Sequence, residues 1–112
     1  MTPTDIRLVL VSAPEDAASR IADAVLERRA AACANVLPGA VSRYWWKGAL
    51  ETSREALVFF KTTASGVEAA MRAIREVHPY DVPEILVLSV DEGSAAYLDW
   101  VRGEVQAAPR PS

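Results

Sequence analysis

The chain has 112 residues, 51% of them hydrophobic, and a formal net charge of −3. That length suits one domain with one core, and the half-apolar composition makes a folded globule rather than a disordered chain. No Lys/Arg run is present, which argues against a nucleic-acid partner, and no apolar run is long enough to span a bilayer.

The opening MTPTDIRLVLVSAPED has no basic leader and carries Asp5, so it reads as a first strand and not as a signal peptide. Cys33 is the lone cysteine. It excludes an internal disulfide and fits a reducing cytoplasm, the expected location.

Ile6 to Ser12 is nearly all apolar and β-branched, as a strand buried on both faces is. Ser12 and Glu15 have capping-box spacing, with Pro14 in the first turn, which predicts a helix to about Arg29. Ala18, Ile21, Ala22, Val25 and Leu26 form its inward stripe. CANV, Pro38-Gly39 and AVSRYWW read as one strand with a bulge at Pro-Gly, because proline cannot donate to a ladder. Lys47-Gly48 marks a tight turn. A strand from about Ala49 to Lys61 completes an unusually long hairpin.

Ser65 and Glu68 repeat the capping spacing and predict a second helix, with Val67, Ala70, Met71, Ile74 and Val77 facing inward. His78 precedes proline, so this helix stops there. Glu84 to Val90 reads as a fourth strand. Ser94 caps a last helix bearing Tyr97, Leu98, Val101 and Val105. Residues 1–5 and 107–112 have the composition of frayed ends.

The order is β-α-β-β-α-β plus a C-terminal helix. This predicts an α+β, ferredoxin-like single domain over residues 1–112. In that fold both crossover helices lie on one sheet face. Trp45 and Trp46 point to opposite faces, and Leu57, Val58, Phe59 and Phe60 are apolar on both. The uncovered face then shows a large apolar patch. Burial against other copies of the chain, with the long hairpin as an arm, is the expected remedy.

Cys33 reads either as a small half-buried hydrophobe at a strand start or as a soft metal ligand. His78, the only histidine, sits in HPYDVPEI. It reads either as a helix C-terminal residue meeting free carbonyls or as a ligand or proton carrier. Glu84 follows Pro83 at the start of an apolar strand. With Lys61, Tyr80 and Tyr97 it forms a polar pocket for a small anion or zwitterion, or else a surface ion pair of little consequence. Ser12, Ser42, Ser53, Ser65, Ser89 and Ser94 have no GxSxG setting, and there is no GxGxxG or GxxxxGK[ST] phosphate loop.

Five blocks carry a resemblance. They are RAAACAN (29–35) with Pro38-Gly39, then YWWKG (44–48), Lys61-Thr62, HPYDVPEI (78–85), and Tyr97-Leu98-Asp99-Trp100. In this order, over about Leu8 to Val101, the chain resembles the CutA family of divalent-cation tolerance proteins. The resemblance implies a tight homotrimer with hairpins wrapping neighbouring subunits, as among the PII signalling proteins. It implies a cytoplasmic role in the response to metal ions, with no enzymatic activity. It implies weak binding of copper or another divalent cation at intersubunit sites, with Cys33 and His78 as the matching ligands. It also implies an intersubunit cleft lined by Trp46, Lys61, His78, Tyr80, Glu84 and Tyr97.

Metal-binding relatives carry a further Cys where this chain has Val11 and a second His where it has Val77, which leaves a site poorer in ligands. The competing reading is a regulatory module holding a small metabolite in that cleft. A hydrolase of acylphosphatase topology ranks last, because the first strand-to-helix loop, Ser12 to Asp16, is acidic and lacks arginine.

Overall fold

The computed structural model describes residues 3–106. Strand β1 (Ile6–Ala13) leads into α1 (Glu15–Glu27), then β2 (Cys33–Trp46) and β3 (Ala49–Thr63). A one-turn 3-10 helix at Ala64–Gly66 precedes α2 (Val67–Val77), β4 (Ile85–Ser89) and α3 (Ala95–Glu104). The sheet order is β2-β3-β1-β4, and every neighbouring pair is antiparallel. This is the expected split βαβ arrangement. No helix among the described residues is long and apolar enough to cross a membrane.

The core lies between one sheet face and α1 and α2. Val9, Val11, Val58 and Phe60 meet Ile21, Val25, Ala70 and Ile74, all without solvent contact. The second face carries Leu8, Leu10, Ser12, Leu57, Phe59, Lys61 and Cys33, the alternate positions of the same strands. Among the described residues only one end of it is covered. There α3 packs Leu98 and Val101 on Ile6.

The arm is as expected. Lys47 and Gly48 both have positive φ, 51° and 81°, between the paired residues Trp46 and Ala49. That is the two-residue turn whose twist matches the strands. The register shifts between Leu37 and Ala40, at Pro38-Gly39. The arm's apolar side chains have no cover among the described residues: Trp45 is 74% exposed and Val41 68%.

Several expected details differ. The Ser12–Glu15 capping box does not form, because the Ser12 hydroxyl donates to Glu84 instead. Glu15 turns to the arm, accepting from the Gly39 amide at 3.0 Å and from Arg54 at 2.7 Å. Helix α1 closes two residues early in a Schellman motif. The Arg29 amide meets the Leu26 carbonyl and the Ala30 amide the Val25 carbonyl, with Arg29 itself at φ 58°. Ser65 and Glu68 do not cap α2 either. Thr63 accepts from the Gly66 amide and initiates the 3-10 turn ahead of it. Ser94 is the N-cap residue of α3 but makes no side-chain cap bond.

Helix α2 stops at His78, whose extended backbone obeys the following proline. Strand β4 begins one residue after Glu84 and ends one before Val90. Among the expected frayed ends, residues 1–2 and 107–112 lie outside the described residues. Thr4 and Asp5 are held: Thr4 bonds the Val90 carbonyl, and Asp5 pairs with Arg102 of α3 at 2.7 Å.

Candidate functional site

The HPYDVPEI loop folds against the α1 end of the sheet. His78 is 8% exposed, and both its ring nitrogens are occupied. Nδ1 accepts from the Tyr80 amide at 3.1 Å, so Nε2 carries the proton and donates to the Ser12 carbonyl at 2.8 Å. The Tyr80 ring lies against the imidazole, with centroids 4.9 Å apart. The Tyr80 hydroxyl donates to Glu55 Oε2 at 3.0 Å. Burial, and then the Glu55 carboxylate, push the Tyr80 phenol up to about 12.

These bonds bring Ser12, Glu55, Tyr80 and Glu84 to one place. The Ser12 hydroxyl holds Glu84 Oε1 at 3.1 Å. Together they line an open cavity of about 620 Å³, bordered on the arm side by Ser42, Tyr44 and Trp46. Asp81 and Arg43 complete its charged lining. A smaller hollow of about 370 Å³, between Met71, Arg75 and Ile85, shares Tyr80, Asp81 and Val82 with it.

Lys61 and Tyr97 lie elsewhere. In the ladder Lys61 pairs with Leu8 and Leu57 with Ser12, four residues away. Along a strand that is roughly 13 Å. Lys61 extends to the Asn35 side-chain oxygen, with the Cys33 sulfur 3.9 Å from its ammonium. Tyr97 stacks on Trp100, and burial, aided by Cys33, raises its phenol. The sequence reading of one pocket containing Lys61, Tyr80, Glu84 and Tyr97 is therefore corrected for the single chain. Trp46, Tyr80 and Glu84 gather at one end of the open face, Lys61 and Tyr97 at the other. Cys33 and His78 are separated in the same way, and no group of three or more His, Cys, Asp or Glu able to hold a metal ion exists among the described residues.

Sequence reasoning missed Glu55. It sits in the ladder opposite Ala40 and directly before the buried pair-partner of Ala13. The available signal was parity: Glu55 shares its face with Leu57, Phe59 and Lys61.

The model of the CutA1 family, described as "CutA1 divalent ion tolerance protein", matches residues 7–104. The chain belongs to this family. It is 42% identical over 103 residues to a divalent-cation tolerance protein CutA of Pectobacterium atrosepticum, covering 91% of this chain and 94% of that one. Against human CutA it is 44% identical over 101 residues, 89% of this chain but 56% of the human one. The CutA crystal structure from Xylella fastidiosa superposes with a TM-score of 0.89 at 36% identity, covering 92% of this chain and 100% of that one. A CutA from Nostoc, described as PII-like and in its apo form, gives 0.85 at 33% identity, covering 90% and 98%.

Proposed function

We propose that this CutA1-family chain works as a homotrimer and acts in the response to divalent metal ions as a binding module. In this reading a small molecule is held beside Glu55, Tyr80 and Glu84, in a cleft that neighbouring subunits complete. The observation that carries the reading is apolar surface left uncovered on both sides of the sheet, with Leu37, Leu86 and Leu88 on the open face and Val41, Trp45 and Leu50 on the opposite face of the arm. A lone soluble chain rarely carries so much. A three-fold assembly gives each arm a neighbour's face to cover. It also brings the Lys61–Tyr97 end of one copy within reach of the Glu84 end of the next.

Light scattering at micromolar concentration tests the assembly. The expected mass is three times the 12.1 kDa of the chain. A monomer sinks the reading.

The competing reading is a copper or other divalent-cation site at His78 and Cys33. It has less support. The two residues are apart in one chain, and both nitrogens of His78 already serve the fold. Copper titration of His78→Ala/Cys33→Ala against the unmodified protein decides. Unchanged binding removes these residues from any metal site, and lost binding restores them.

A further inference from the structure

We infer that His78 is a positioning residue of the proposed cleft: its ring latches the loop that carries Tyr80 and Glu84, and it is not a metal ligand. This rests on the binding-module reading only in calling the cavity a site. From Pro79 to Pro83 no backbone-to-backbone hydrogen bond holds the loop among the described residues. Both prolines lack an N–H to give. Side chains must therefore fix the path of the loop. Among the described residues they make four bonds that do so, and the ring of His78 makes two of them.

The two ring nitrogens do different work. Nδ1 accepts from the amide two residues ahead, at 3.1 Å. An Asn or Asp side chain makes that same bond in an Asx turn. The extended backbone of His78, with φ −71° and ψ 133°, aims the ring for it. Nε2 donates to the Ser12 carbonyl at 2.8 Å and so fastens the turn to β1. Ser12 also holds the far end of the loop, because its hydroxyl donates to Glu84. One strand residue thus pins the loop at both 78 and 84. Between the pins Tyr80 lies against the imidazole and reaches Glu55.

Ligation would undo this arrangement. A metal ion needs a free lone pair on one imidazole nitrogen. The lone pair of Nδ1 faces the Tyr80 amide, and Nε2 carries the proton that Ser12 receives. A metal at either nitrogen displaces one of the two bonds. It loosens the same loop that brings Tyr80 and Glu84 to the cavity.

Substitutions in the full chain separate the two nitrogens. His78→Asn puts a carboxamide oxygen where Nδ1 stands and keeps the turn without an imidazole. His78→Gln puts an amide nitrogen near Nε2 and keeps the tie to Ser12 alone. His78→Ala keeps neither. Hydrogen exchange of the Tyr80 amide, followed by NMR, is the first readout. His78→Ala and His78→Gln are expected to accelerate it by about tenfold, and His78→Asn to hold it within about threefold of the unmodified protein. If His78→Ala does not fold, the contrast between the Asn and Gln variants decides. Copper(II) titration by calorimetry is the second readout. The unmodified protein and His78→Asn are expected to give the same isotherm.

Copper binding that His78→Asn abolishes, while its Tyr80 amide stays protected, overturns the inference and restores His78 as a ligand. Native exchange of the Tyr80 amide in every variant overturns it too, because the loop then needs no latch. So does exchange in His78→Asn as fast as in His78→Gln, because the side-chain acceptor then does not hold the turn. Light scattering on the same samples reads the assembly separately, so a failed latch and a failed trimer are told apart.

Discussion

The Tyr80 hydroxyl and the Glu55 carboxylate meet at 3.0 Å, which ties the loop before β4 to the middle of β3. Tyrosine here is neutral and donates, and the carboxylate is charged and accepts. Ionising the phenol would set two negative groups against each other. Burial and this neighbour together raise the phenol from 10.0 to about 12. The folded chain therefore holds the proton more tightly than the unfolded one. The contribution is full below pH 10 and is lost as pH rises from 10 towards 12. Denaturant titrations across that window should show stability falling with pH, and Tyr80→Phe should flatten that part of the fall. The same variant leaves Glu55 without its donor and should cost about 1–2 kcal/mol at neutral pH.

His78 is a structural residue in this geometry. Its ring bridges the Ser12 carbonyl of β1 and the Tyr80 amide of the loop, with little exposure to water. His78→Ala removes both bonds and leaves a small cavity, which should cost about 2–4 kcal/mol. Urea denaturation measures this. The Tyr80 amide should also lose its protection from hydrogen exchange. A variant of unchanged stability would mean that the bridge contributes little.

Gly66 is fixed by space, not by its backbone angles. A Cβ there would lie 2.4 Å from Thr62 Oγ1, 2.9 Å from Val105 Cγ1 and 3.1 Å from the Ala30 carbonyl. Thr62 cannot swing aside freely, because its hydroxyl is committed to that same carbonyl at 2.6 Å. Gly66→Ala should therefore destabilise by about 1–3 kcal/mol, the usual cost of overpacking. A thermal melt with no downward shift would contradict this.

The fold was legible because its punctuation is local. Pro79 stops a helix, Pro38-Gly39 breaks a register and Lys47-Gly48 reverses the chain, each through its own backbone chemistry. The caps were not legible. Ser12 and Glu15 have the right spacing for each other, but tertiary partners compete for both. Ser12 bonds Glu84, 72 residues away, and Glu15 bonds Gly39 and Arg54. The site was half legible for the same reason. Tyr80 and Glu84 are close in sequence, so one loop places them. Glu55 comes from another strand, and only the β1–β3 register brings it there. That register also carries Lys61 away: once Leu57 pairs with Ser12, Lys61 must lie four residues further along.

Glu15 gives the last prediction, because it joins the helical layer to the arm. Its two carboxylate oxygens hold the Gly39 amide at the bulge and Arg54 on the adjacent strand. The Arg54 pair is largely exposed and is worth little by itself. The bond to the Gly39 amide is different. At the bulge the ladder register is interrupted between Leu37 and Ala40, and the carboxylate is the acceptor this amide has. Glu15→Ala should therefore act locally. Global stability should fall by no more than about 1 kcal/mol, while exchange of the Gly39 amide should accelerate by roughly tenfold, the equivalent of about 1.4 kcal/mol of local opening. Amides of β1, in the middle of the sheet, should keep their rates. If Gly39 exchanges no faster in the variant, the bulge is held by the ladder on either side and Glu15 has no part in fixing the arm.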